Sequence, residues 1–118
     1  MITHKMKLSC EPFEKIVSGK KIIESRLFDE KRQIINTGDE IEFSQSDDET
    51  RKVLTKVKAL HKYKTFSDLC TAFPAENFGG ISSELLLEEI RRFYSKEEEE
   101  AFGVVGIQIE LCSGELYE

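Results

Sequence analysis

The 118 residues of this chain suit one compact domain, because single domains usually contain about 100–200 residues and a second core would not fit. Hydrophobic residues make up 39% of the sequence, which excludes simple disorder, and no apolar run approaches the roughly 20 residues of a membrane-spanning helix. The net charge of −6 opposes binding to extended duplex nucleic acid. We therefore expect a single domain over residues 1–118 with no membrane partner.

The charge is distributed unevenly along the chain. Residues 1–37 carry a net charge of +3, whereas residues 38–118 carry −9. This asymmetry permits a local basic site on an acidic body, but it does not favour a long surface that follows phosphates.

Cysteine and histidine spacing gives no sign of a metal or a disulfide. Cys10, Cys70 and Cys112 are odd in number and include no CxxC pair, which favours reduced thiols in a cytoplasmic protein. The N-terminus is charged and has no apolar core, so we expect no secretory signal. Because His4 and His61 lie far apart in the sequence, we expect no metal site, and no cofactor is indicated.

The first half of the sequence predicts strands around one short helix. The expected strands, recognised by alternating or β-branched residues, span residues 6–8, 21–27, 40–44 and 50–63. Alternation in the longest strand should place Val53, Thr55, Val57 and Ala59 on one face and Leu54 and Leu60 on the other. A helix is expected over residues 11–18, because Pro12 suits a first helical turn and apolar residues follow at i, i+3 and i+4. Residues 28–33 are polar and predict an irregular connection, and residues 46–49 predict a solvated turn.

The second half predicts three helices and a final strand. N-cap patterns mark the helix starts at Thr65, at Ser82 or Ser83, and at Ser95. We expect Phe93 to be mostly core, and we expect the acidic run at residues 97–100 to be a solvated first turn. In the last strand, the side chains expected to point toward the core are those of Val105, Ile107, Ile109 and Leu111. The resulting order, β-α-β-β-β-α-α-α-β, indicates an α+β fold with a small curved sheet or barrel.

One segment carries a pattern of charges with chemical meaning. Residues 19–26 read Gly-x-Lys-x-x-Glu-x-Arg, formed by Gly19, Lys21, Glu24 and Arg26. Gly19 lets the chain pass from helix to strand cheaply, and Glu24 and Arg26, two residues apart on a strand, point to the same side. In a cleft they would compensate each other and still offer hydrogen-bonding groups to a nucleobase or phosphate. Alternatively, the three charges form an ordinary ladder on a solvated strand face.

This motif resembles the signature of the ASCH domain. Further matching features are the Gly38-Asp39-x-Ile41-x-Phe43 segment and the stretch YKTFSDL at residues 63–69, so that the resemblance covers about residues 6–111. It implies a PUA-like small β-barrel of about five or six mostly antiparallel strands with helices packed around it. It also implies a small cleft that binds RNA, a nucleotide or a modified nucleoside.

The resemblance leaves a hydrolase as the alternative function. Some ASCH relatives remove the acetyl group from acetylcytidine with a Lys, a Thr and a Glu, and others act as ribonucleases. Lys21 matches the lysine, Glu24 stands where the threonine is expected, and Glu76 matches the glutamate only across a gap. The missing hydroxyl weakens the amidase interpretation, although a water activated by Glu24 would be a chemical substitute.

The expected site follows from these comparisons. The candidates for catalysis are Lys21, Glu24 and Glu76. The residues expected to contact a ligand are Gly19, Lys21, Glu24, Arg26 and Tyr63, with Tyr63 as a surface on which a base could stack. A small ligand or a short single-stranded end is favoured over a duplex, since each phosphate contact needs a cation.

Overall fold

The computed structural model describes residues 2–112 and the backbone of residues 116–117. The strands are β1 (Thr3–Leu8), β2 (Ile23–Leu27), β3 (Glu40–Gln45), β4 (Asp48–Tyr63), β5 (Val104–Leu111) and β6 (Leu116–Tyr117). The helices are α1 (Cys10–Val17), α2 (Glu30–Gln33), α3 (Phe66–Ala72), α4 (Ser83–Ile90) and α5 (Lys96–Phe102), with a 3₁₀ turn at Ala75–Asn77. None of the helices in this described part has the length and apolar character needed to cross a membrane.

The strands form one mixed sheet that curls into a half-barrel. Its order is β1-β3-β4-β5-β2, and β6 pairs with β4. Only β1 and β3 run parallel among these pairs; every other pair is antiparallel. The α+β class and the mostly antiparallel, barrel-like sheet are therefore confirmed. Because β1 and β2 are the two ends of this order, the seam of the half-barrel lies between them.

Apolar side chains pack on both faces of the sheet. The inner cluster joins Phe13 and Ile16 of α1 to the concave face, and its buried members from the strands include Met6, Leu8, Ile41, Phe43, Val53, Val57, Val105, Ile107 and Ile109. The outer cluster lies between the sheet and helices α3 and α4, and its buried members are Ile23, Leu27, Phe66, Leu69, Cys70, Phe78, Leu86 and Val104. Strand β5 therefore contributes buried apolar side chains to both clusters, whereas β2 contributes them to the outer cluster only.

A bulge in β4 changes which side chains reach the inner face. Val57 pairs with Ile109, but the next pair is Ala59 with Gln108, so Lys58 is an extra residue. Alternation would place Leu60 opposite to Val57, as the sequence predicted, but the extra residue returns Leu60 to the inner cluster. That part of the prediction was wrong, because strict alternation does not survive a bulge.

The turn before β3 holds β1 in place. Gly38 has a φ of 94°, and the Asp39 carboxylate accepts hydrogen bonds from the backbone of Asn36 at 3.0 Å and of Ile2 at 3.3 Å. The His4 ring nitrogen lies 2.9 Å from the same carboxylate. These hydrogen bonds, that of His4 first, lower the pKa of Asp39 to about 2. They fix the strand whose far end forms one wall of the seam.

Several local predictions were wrong. Residues 30–33 form the helix α2, because the Asp29 side chain caps it by accepting from the Arg32 amide. The region predicted as a turn at residues 46–49 already contains the start of β4 at Asp48. Leu111 is 37% exposed because it is the last residue of its strand, and Phe93 is 77% exposed because α4 ends at Ile90.

Glu99 was also predicted wrongly, since it is buried although it belongs to an acidic run. The Ser95 capping box forms as expected, but α5 packs against the start of α3. The Glu99 carboxylate therefore accepts from the Phe66 amide at 2.6 Å and from Arg91 Nη2 at 3.1 Å. It joins three helical segments that the sequence pattern treats separately.

We expect Glu99→Ala to lower the free energy of unfolding by about 3 kcal/mol, because it leaves Arg91 and a buried amide without their partner. The matched change Glu100→Ala, at the next residue, about 100° around the helix and exposed, should stay within about 0.5 kcal/mol. Urea denaturation of both variants measures the difference. Equal small losses would contradict this role of Glu99.

Candidate functional site

A cleft of about 520 Å³ lies along the seam of the half-barrel. Its walls are the end of β1, the start of α1, the inner face of β2 and the segment that follows α4. Arg26 Nη2 donates a hydrogen bond to the Lys7 carbonyl oxygen at 3.2 Å, which ties β2 to β1 across the seam. The cleft therefore occupies the place where a closed barrel would pair its two edge strands.

Glu24 is the centre of the charged wall. Its Oε1 lies 2.7 Å from Lys21 Nζ, and its Oε2 lies 2.7 Å from Arg26 Nε. The register explains why these groups meet: Glu24 lies opposite Ile107 and Arg26 opposite Val105, so both point toward the concave face. The exposed fractions of the three side chains are only 5%, 13% and 15%. This burial is inconsistent with the alternative drawn from the sequence, in which the three charges form an ordinary ladder on a solvated strand face.

The electrostatics keep Glu24 and Arg26 charged in spite of burial. Burial alone would raise the pKa of the Glu24 carboxyl, but Lys21 and Arg26 hold it below its ordinary value. Burial would likewise lower the pKa of the Arg26 guanidinium, and Glu24, followed by Tyr94, raises it instead. At neutral pH the wall is thus a carboxylate between two cations.

Backbone contacts position Lys21 at the mouth of the strand. Its amide donates to the Lys15 carbonyl at 3.0 Å, and Lys21 forms an isolated bridge with Phe78. Gly79 approaches so closely that a Cβ there would lie 3.0 Å from Lys15 Cδ and 3.2 Å from Lys21 Cβ. Gly79 also has a φ of 80°, so a side chain at this position is disfavoured both by these close contacts and by the backbone conformation.

The rim of the cleft adds groups that sequence reasoning missed. The exposed ring of Phe93 and the guanidinium of Arg92 both line it, and the Arg92 side chain makes no hydrogen bond or ion pair with the rest of residues 2–112. Lys7 and Lys15 also line the cleft, which in total has five cationic and three anionic side chains in its lining. No local motif could have indicated these residues, because they come from β1, α1 and the segment after α4.

The other residues expected from the sequence lie elsewhere. Gly19 and Glu76 line a second, shallower depression of about 440 Å³ beside the cleft. Tyr63 lines neither and packs against the outer cluster. Of the histidines, His4 pairs with Asp39 and His61 with Gln108, and residues 2–112 contain no group of three side chains suited to hold a metal ion.

Comparison with known proteins agrees with the motif. The model of the ASCH domain matches residues 6–113 of the chain. A comparison with curated proteins finds no match.

Solved structures give the same likeness. The crystal structure of the hypothetical protein PH0355 is 38% identical with a TM-score of 0.82, and the match covers 93% of this chain and 99% of that protein. The solution structure of protein PF0455 from Pyrococcus furiosus is 37% identical with a TM-score of 0.75, covering 95% and 99%. A crystal structure of an S128A mutant of the ASCH protein from Zymomonas mobilis is 13% identical with a TM-score of 0.61, covering 92% and 67%. This last likeness concerns the fold alone.

We expect Glu24→Gln to lower the free energy of unfolding by about 3 kcal/mol, because two buried cations lose their shared counter-charge. The matched change Glu49→Gln breaks an ion pair with Lys7 whose side chains are more than 60% exposed, and it should cost less than about 1 kcal/mol. Guanidinium denaturation at neutral pH compares the two variants. Similar small losses would mean that water already screens the Glu24 wall.

Proposed function

The chain belongs to the ASCH domain family, and from that premise we propose that its seam cleft binds a nucleotide or modified nucleoside, free or at the end of single-stranded RNA. One observation carries the proposal: a largely buried Lys-Glu-Arg cluster and an exposed aromatic ring line the same concave site. A nucleotide offers the matching set, which is a flat apolar base, a polar base edge and an anionic phosphate.

Phe93 supports the part of the proposal that concerns the base. Its ring is 77% exposed, although aromatic side chains of this size are usually covered. Single-strand binding proteins stack bases on such rings, and each stack is worth about 1–3 kcal/mol. We therefore assign base stacking to Phe93.

The charged wall supports recognition of the polar edge. Each oxygen of the Glu24 carboxylate has one cation as partner, so each keeps further capacity to accept a hydrogen bond from a base amino group. Lys21 and Arg26 fix the orientation of this acceptor. The unpaired Arg92 is the natural partner of a phosphate, since guanidinium binds phosphate in a bidentate geometry.

Size and charge limit the ligand. A volume of about 520 Å³ falls within the range of roughly 300–1,000 Å³ that small-molecule sites occupy. The net charge of −6 of the whole chain opposes a long duplex, whereas the cleft itself carries a local excess of two positive charges.

We expect Phe93→Ala to weaken binding of nucleoside monophosphates by about 5- to 150-fold, because it removes the stacking surface. The free energy of unfolding should change by less than about 0.5 kcal/mol, since the ring is already exposed. Calorimetric titration with the four ribonucleoside monophosphates measures the affinity.

The matched control is Ile34→Ala, which removes another exposed apolar side chain, 61% accessible and outside the cleft. It should leave the affinity unchanged. Equal affinities of all three proteins would contradict the assignment of Phe93.

A hydrolase is the second candidate, favoured by the adjacency of Lys21 and Glu24 inside the cleft. The same geometry opposes it, because a carboxylate with two cationic partners and a lowered pKa is a weak base. In addition, position 24 has no hydroxyl to serve as a nucleophile.

We therefore expect negligible release of cytidine when the protein is incubated with acetylcytidine. Chromatographic separation of the two nucleosides measures the release. Turnover by the unmodified protein that disappears in Lys21→Ala would contradict this expectation and would favour the hydrolase.

A further inference from the structure

We propose that the ligand extends beyond one nucleotide, and that the second depression holds the neighbouring nucleotide of a single strand. This depression is lined by Lys15, Gly19, Lys20, Ile22, Glu76, Asn77, Gly79 and Gly80. The inference rests on the function proposed for the cleft and adds a second subsite, with a phosphodiester group crossing between the two.

The two sites share a wall. Lys15 and Gly79 line both the cleft and the depression, so the boundary between them is one lysine side chain over bare backbone. Lys15 Nζ donates to the Gly79 carbonyl at 2.6 Å and to Glu11 Oε1 at 3.1 Å. An ammonium group has three donors, so one N–H remains for a phosphate oxygen at the crossing point.

The surface of the depression lets a polynucleotide backbone approach. Three of the seven glycines of the chain line it, and side chains of Lys15, Lys21 and Leu86 pack closely on two of them, Gly79 and Gly80, whereas Gly19 is open. A Cβ on Gly19 would have no heavy atom within 4 Å, so the surface there is open and carries no side chain. Backbone without side chains is typical of sites where another chain comes close.

Three polar side chains of the depression have no partner among the residues that the structure describes. The side chains of Lys20, Glu76 and Asn77 make no hydrogen bond or ion pair with the other described residues. The Asn77 amide can both donate and accept, Glu76 can accept from an amino group, and Lys20 can bind a phosphate. Because the lining contains no aromatic ring, the second base would be read along its edge rather than stacked.

The experiment compares ligand lengths. Calorimetry measures the affinities of a ribonucleoside monophosphate, the matched dinucleotide and the matched trinucleotide of one base, chosen as the tightest of the four monophosphates. We expect the dinucleotide to bind at least about 10-fold more tightly than the monophosphate, because it adds a phosphate contact and an edge contact. A third nucleotide should add less than about 2-fold, since neither lining offers it a place.

Substitutions identify the subsite. Lys20→Gln should weaken the dinucleotide by about 5-fold and leave the monophosphate unchanged, because Lys20 lies outside the cleft. Asn77→Ala should have the same selective effect. The matched control Lys64→Gln removes an exposed lysine that lines neither site and should change neither affinity.

The outcomes separate the two proposals. If the monophosphate binds through Phe93 but the dinucleotide binds no more tightly, or if Lys20→Gln weakens both ligands equally, the second subsite is wrong and the cleft function stands. If neither ligand binds, both proposals fall. Circular dichroism of each variant shows that the exposed substitutions leave the fold intact.

Discussion

The carboxylate of Glu24 is the interaction on which the seam of the half-barrel depends. Its two oxygens hold Lys21 and Arg26, and Arg26 in turn binds the Lys7 carbonyl on the opposite edge strand. An open half-barrel leaves backbone groups of its edge strands unpaired, and a charged side chain here takes over part of their pairing. The same residues therefore close the fold and form the wall of the cleft, so contacts within the chain already hold that wall in place.

The helices beyond the sheet complete the site from the other side. Glu99 fastens α5 to the start of α3 and to Arg91, which directly follows α4. The short segment that begins there carries Arg92 and Phe93 to the rim. A buried carboxylate that does not line the cleft thus helps to position two of its rim groups.

The sequence could predict local features, but it could not predict contacts between residues that are distant along the chain. The α+β class, the N-caps at Thr65 and Ser95, and the shared side of Glu24 and Arg26 follow from periodicity and motif spacing, and the structure has them. The β4 bulge is invisible to a rule of strict alternation. The burial of Glu99 and the exposure of Phe93 depend on tertiary packing, which an amphipathic pattern does not encode.

The uneven charge has a consequence for how ligands arrive. The side chains that line the cleft have a net charge of +2 and the whole chain has −6, so the remaining residues have a net charge of −8. At 0.1 M ionic strength the screening length is about 10 Å, and an anion near the seam senses mainly the cleft. At low ionic strength the acidic remainder is no longer screened, and the approach of a long polyanion slows while a mononucleotide is affected much less. The association rate of a long ligand should thus depend on ionic strength much more strongly than that of a short ligand.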